Sequence, residues 1–205
     1  MSESRDTRSA LIASARKVFA RRGYRGASIK AITDAAHANL GAVTYHFGTK
    51  ERLYHEVIRR LVGPLHQAVR SATEADGTAL ARIEAGLRAY FRYMHTHHEL
   101  PAMMLHEMSL TGPLPAPIQD SIGAMMKHMS GLVARGQAEG EIVDGDPVLL
   151  TVSAISQPLF FVIMRRGLKE IAGVNMHDRA TQERALAHLL AFVRRGLSRP
   201  GSSTQ

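Results

Sequence analysis

From Thr7 to Leu197 the apolar residues recur at helical spacing, and no β-hairpin signal, internal repeat or heptad array interrupts them. A chain patterned this way buries its apolar surface by packing helix on helix, so the expected fold class is all-α. Segment 7–22 places Leu11, Ala15, Val18 and Phe19 on one face with Arg and Lys opposite, and stops at Gly23. Ser28 then caps a short helix whose inner face is Ile29, Ile32 and Ala36. A break at His37-Ala38-Asn39 leads to a second short helix near 40–47. Gly48-Thr49 interrupts again, and Thr49 caps a helix carrying Leu53, Val57 and Leu61, which Pro64 either kinks or ends.

Further helices are expected near 78–97, 101–110, 116–139, 147–167 and 178–197, about nine in all. Asp76-Gly77, the Gly112–Pro117 loop, Gly140, Asp144–Pro147 and Gly173 separate them. Asp146-Pro147 is a cap followed by proline in the first turn, and Pro158 should bend the helix that follows. Residues 199–205 read as a disordered tail.

Composition narrows the function classes. The absence of cysteine excludes disulfides, thiolate catalysis and Cys-built zinc or iron–sulfur sites. No apolar run approaches the roughly 18 residues of a membrane span. The start, Met1-Ser-Glu-Ser-Arg-Asp6, lacks the apolar core of a secretory signal, so a cytoplasmic protein without membrane contact is expected. Charge is unevenly placed. Residues 1–60 hold 12 Lys/Arg against 5 Asp/Glu, and residues 61–205 hold 14 against 13. Nearly all of the formal +8 therefore lies in the first third, as for a segment that meets a polyanion.

One long helix followed by two short ones across a three-residue turn is the helix-turn-helix arrangement, in which the second short helix enters the DNA major groove. Ile29, Ile32, Ala36, Val43 and Phe47 can pack on Leu11, Val18 and Phe19 as a small core. That leaves Leu40, Gly41, Thr44, Tyr45 and His46 as a compact, nearly uncharged surface. Gly41 allows close backbone approach, and the others offer hydroxyl, ring and methylene contacts to bases and phosphates.

The run Ser28-Ile-Lys-Ala-Ile32-Thr-Asp-Ala-Ala36-His-Ala-Asn39-Leu-Gly41-Ala-Val43-Thr-Tyr45-His46-Phe47-Gly-Thr-Lys50-Glu-Arg-Leu53 resembles the DNA-binding domain of TetR-family transcriptional regulators, and the likeness extends over residues 7–60. Tyr45-His-Phe-Gly-Thr-Lys50 is its most specific part. The resemblance implies a DNA-binding domain at 1–50, a connector helix at 50–62, and a ligand-binding and dimerisation domain at 51–198. It places Ser28 and Lys30 on backbone phosphate, Asn39, Leu40, Gly41 and Thr44 on the bases, and Tyr45, His46 and Lys50 on phosphates beside the groove. His37 stands where the family has a turn glycine at positive φ, and Ala38 replaces a valine; both bear on the turn's geometry.

In the family the last two long helices of each subunit form a four-helix bundle with those of a second. Here they are 147–167, with Leu149, Leu150, Val152, Leu159, Phe160, Val162 and Ile163, and 178–197, with Leu186, Leu189, Leu190, Val193 and Leu197. Such faces also serve as intramolecular core. Met94, Met103, Met104, Met108, Met125, Met129 and Met164, with Tyr90, Tyr93, Phe160 and Phe161, suit either a pocket for an apolar small molecule or ordinary core filling. His95, His97, His98 and His106 with Glu99 and Glu107 invite a metal reading, yet His97-His98 ends a helix, where histidine commonly meets the last carbonyls; no metal or cofactor is expected. The resulting expectation is a homodimeric, ligand-responsive repressor released from a palindromic double-stranded operator by a small, largely apolar effector. An enzyme is disfavoured because no Gly-rich phosphate loop, Gly-x-Ser-x-Gly or His-Glu-x-x-His occurs. An architectural DNA binder would spread its positive charge over the whole chain.

Overall fold

The computed structural model describes residues 2–108 and 113–200. Among them are ten helices: α1 (Ser2–Gly26), α2 (Ile29–Ala35), α3 (Ala42–Phe47), α4 (Lys50–Thr73), α5 (Ala79–Thr96), α6 (Glu99–Met108), α7 (Ala116–Ala138), α8 (Pro147–Ile163), α9 (Arg165–Ala172) and α10 (Arg179–Leu197). The described residues contain no strand beyond an isolated bridge between Ile142 and Ser198. Packing divides the chain into two compact units, Met1–Gly63 with His97–Asp120, and Pro64–Thr96 with Ser121–Gln205.

In the first unit Leu11, Ala15 and Phe19 recur every fourth residue along α1 and are fully buried, with Ile12 beside them; Val18 is only half-buried. They meet a core that includes Ile32, Val43, Phe47, Leu53, Val57 and Ile58. Each such side chain contributes roughly 1.5–3 kcal/mol on burial. The long helix overruns its expected stop. It passes through Gly23 in a non-helical conformation (φ 65°, ψ 176°) and resumes to Gly26. Gly23 is required twice over: its φ suits glycine, and a Cβ there would lie 3.3 Å from the His106 ring.

α6 belongs with this unit, although the sequence suggested one change of domain near residue 50. The grouping has definite causes. Arg16 pairs with Glu99 at 3.0 Å, and the buried Tyr54 hydroxyl donates to the Glu107 carboxylate. Burial first, and then this carboxylate, raise the Tyr54 pKa far above its ordinary value, so the phenol remains a donor.

The second unit begins inside α4, which continues through Pro64 to Thr73. Its core draws on Val69, Ile83, Leu87, Met94, Met129, Val133, Leu186, Leu189 and Val193, and α5 packs against both α8 and α10. The Thr73 hydroxyl donates to Arg70 O, so His128, 2.6 Å away, donates to it through Nε2. Arg194 binds Glu84 through two nitrogens at 2.6 and 2.7 Å. Asp146 caps α8 by accepting from Val148 N and Leu149 N, with Pro147 in the first turn as expected. The expected single helix 147–167 instead breaks at Met164, where α9 departs at 68°; this supplies the tenth helix. Of the expected tail, Arg199 is held by its N–H to Glu141 O, and residues 201–205 lie outside the described residues, as does Gly112. No single described helix is long and apolar enough to cross a membrane; α8 and α9 meet that test only as a bent pair.

Candidate nucleic-acid interface

The turn between the short helices forms with histidine in the glycine position. His37 takes φ 51°, the sole positive φ of a non-glycine among the described residues. Around it the Ala38 N–H reaches Thr33 O at 2.9 Å and the His37 N–H reaches Asp34 O at 3.2 Å. This is the left-handed cap that closes a helix by 6→1 and 5→2 bonds. Ser28 opens the same helix, its Oγ accepting from Ala31 N at 3.1 Å.

α3 is shorter than expected, and Leu40 and Gly41 lie in the turn before it. Ala42, Val43 and Phe47 are buried and anchor it. The opposite side presents Asn39, Leu40, Gly41, Thr44 and Tyr45, with Leu40 63% and Tyr45 80% exposed. Leu40 in the turn and Tyr45 on α3 thus both project outward from the anchored side of the motif. His46 is half-buried, its ring edge-on to Tyr45 at 4.8 Å. Ser28 and Lys30 are exposed at the start of α2, Lys30 paired with Asp34 at 2.7 Å.

The Lys50 ammonium, expected on phosphate, instead donates to Tyr24 O and Ala27 O at 3.0 Å each and lies 4.4 Å from the Tyr24 ring centroid. The negative end of α1 attracts the cation more strongly than the start of α4 repels it. Arg8 was missed. It sits 5.0 Å from the Phe47 ring centroid and 3.1 Å from Glu56, tying α3 to α4. Nothing in the local pattern announces that role.

The expected effector residues divide between the units. Tyr90, Met94, Met125 and Met129 are buried in the second unit, where Tyr93, Phe161 and Met164 are half-buried. Met103 is buried and Met104 half-buried on α6, in the first unit; the side chain of Met108 lies outside the described residues. Phe160 does not face an interior. It is 58% exposed and shares an outward face of α8 with Val148, Leu149 and Val152. An apolar cleft of about 120 Å³ runs between α8 and α10 beside Leu150, Ala154, Phe192 and Val193. On α10 the expected interface residues Leu186, Leu189, Leu190, Val193 and Leu197 are buried within the chain, and Phe192 is the exposed apolar one.

His95 donates from Nδ1 to Phe91 O at 3.0 Å and stacks on the Phe91 ring at 4.1 Å. Burial, reinforced by Arg165 and His177, lowers its pKa against the raising effect of that hydrogen bond. Among the described residues no three His, Asp or Glu side chains converge as metal ligands.

Residues 11–57 match the family model of bacterial regulatory proteins, tetR family, and residues 80–193 match that of the tetracyclin repressor-like C-terminal domain. The chain belongs to the TetR family of transcriptional regulators. Proteins of this family bind operator DNA and small-molecule effectors and act as dimers. The chain is 25% identical to the repressor NicS of Pseudomonas putida over 201 residues, 94% of this chain and 93% of that one. It is 29% identical to the repressor KstR2 of Mycobacterium tuberculosis over 91 residues, 44% of this chain and only 46% of that protein. The solved structure of KstR2, a ketosteroid transcriptional regulator, superposes with TM-score 0.76 at 22% identity, covering 94% of this chain and 95% of that one. AibR, in complex with isovaleryl coenzyme A and operator DNA, superposes with TM-score 0.76 at 19% identity, covering 91% and 97%. These structural likenesses establish the fold.

Proposed function

We propose that the chain is a ligand-responsive repressor that binds a palindromic operator as a homodimer and is released by a small, largely apolar molecule. The observation that carries this reading is the nearly uncharged exposed surface formed by Leu40 and Gly41 in the turn and Thr44 and Tyr45 on α3, a helix pinned by Ala42, Val43 and Phe47. One such helix reads too few bases for useful specificity, so two subunits are needed, with half-sites about one helical turn apart. The outward face of α8, joined by Phe192, is the surface through which they meet. Tyr90, Met94, Met125 and Met129 supply an apolar, adaptable environment for the effector. Binding there favours a conformer in which the two recognition helices stand too far apart for adjacent grooves, with α4 as the element common to reader and sensor.

The experiment uses two variants and a DNA fragment from the region upstream of the chain's own coding sequence. Tyr45→Ala should weaken binding to every sequence, as loss of a backbone contact does. Thr44→Val should change preference at one operator position by about 1–3 kcal/mol. Unaltered affinity in both, with the fold intact, refutes the assignment of α3.

A further inference from the structure

Residues 1–60 hold twelve Lys and Arg, and six of them pair with neighbouring groups. Arg8, Arg59 and Arg60 converge on Glu56, Arg16 pairs with Glu99, Lys30 with Asp34, and Lys50 with two carbonyls. Lys17, Arg21, Arg22 and Arg25 differ. Among the described residues none of the four makes an ion pair or a side-chain hydrogen bond, and all are exposed on α1. Lys17 and Arg21 stand one turn apart on the unbroken part of α1, with Arg22 next to them, and Arg25 follows beyond the break at Gly23.

The unbroken part borders a groove of about 280 Å³ between α1 and α2. Ser14, Val18, Ala31 and Ala35 line it with small groups, and Lys17, Arg21 and Arg22 provide its charge. Four unneutralised cations repel one another and are kept only at some cost, unless an anion shares the site. Small residues along the walls let a bulky anion approach. The groove also adjoins the reader: Ala31, one of its lining residues, has its N–H capped by Ser28 Oγ at the start of α2.

We propose that this groove seats the DNA backbone flanking the half-site, with Lys17, Arg21 and Arg22 on successive phosphates. The inference rests on the DNA-reading assignment above. It divides the work physically: α3, nearly uncharged, discriminates bases, and α1 supplies the counterion release that sets affinity.

The test compares the full-length protein with Lys17→Gln/Arg21→Gln/Arg22→Gln. A control triple, Lys169→Gln/Arg179→Gln/Arg195→Gln, removes the same charge from other exposed positions. Affinities for the upstream fragment and for a random duplex of equal length are measured between about 50 and 200 mM salt. The groove variant should flatten the plot of log K against log salt by about 2 to 3 per subunit, since each lost phosphate contact removes about 0.9. Its preference for the upstream fragment should persist, and the control should keep the wild-type slope. An unchanged slope in the groove variant, or equal flattening in the control, overturns the proposal. The two assignments fail separately. A wild type that prefers the upstream fragment, with no slope change in the groove variant, refutes the groove alone. A wild type without preference, whose slope still falls in the groove variant, refutes the α3 assignment alone.

Discussion

Glu56 gathers three arginines, and its removal should be felt in both stability and DNA binding. Arg8 reaches it at 3.1 Å, Arg59 and Arg60 at 3.0 Å each. Burial on its own would raise the carboxyl's pKa, but the hydrogen bonds from Arg59, Arg60 and Arg8 outweigh it and hold the value at about 2, against 4.5 ordinarily. A wholly shielded shift of that size would be worth about 3 kcal/mol. The arginine partners are 39–59% exposed, so screening reduces the contribution to about 1–2 kcal/mol. The perturbation is Glu56→Gln, which keeps shape and removes charge. At neutral pH it should lower stability by that amount, or Tm by about 2–8 °C. The folded-state pKa lies below the unfolded one, so the contribution is full above about 4.5 and lost as pH falls toward about 2. Melting wild type and variant in parallel across that window isolates the difference from other carboxylates. Because Arg8 also lies over Phe47 on α3, the variant should weaken operator binding too. A stability difference that is absent at neutral pH, or constant down to about pH 2, would show that the three arginines do not stabilise the Glu56 carboxylate.

Three further outcomes follow from single features. Gly136→Ala should destabilise the second unit by about 1–3 kcal/mol in urea denaturation, because a Cβ there would lie 2.5 Å from Ile142 Cδ1 and 2.9 Å from Ala79 Cβ. His37→Val should cost about 1–2 kcal/mol, since a β-branched side chain resists φ near 51°, whereas His37→Gly should stay within about 1 kcal/mol of wild type; thermal melts distinguish them. Leu149→Asp/Phe160→Asp should shift the protein from dimer to monomer in analytical ultracentrifugation without loss of helicity, because both residues are exposed within one chain.

Local signals carried much of the fold. Leu11, Ala15 and Phe19 show α1 by their spacing, Ser28 and Asp146 mark helix starts by capping chemistry, and Tyr45 and Thr44 stand out because Val43 and Phe47 occupy the inner face of the same helix. What escaped sequence reasoning depends on distant partners. The carbonyls that hold Lys50 belong to residues 26 and 23 positions earlier, so its engagement has no local signature. Assignment of α6 to the first unit depends on Arg16 with Glu99, 83 residues apart, and Tyr54 with Glu107, 53 apart. An apolar helix face also looks the same whether it meets its own chain or another. Leu186, Leu189 and Val193 proved to be internal, and Val148 and Leu149, with the same chemistry, face outward.

If residues 1–50 read duplex DNA by sequence, a specificity ratio reveals it. Wild-type affinity for the chain's own upstream DNA is compared with its affinity for random duplex at about 150 mM salt, where charge alone contributes little discrimination. Upstream DNA should bind at least about a thousandfold more tightly, and Tyr45→Ala should weaken binding to both. Equal affinity for the two duplexes would contradict reading by sequence.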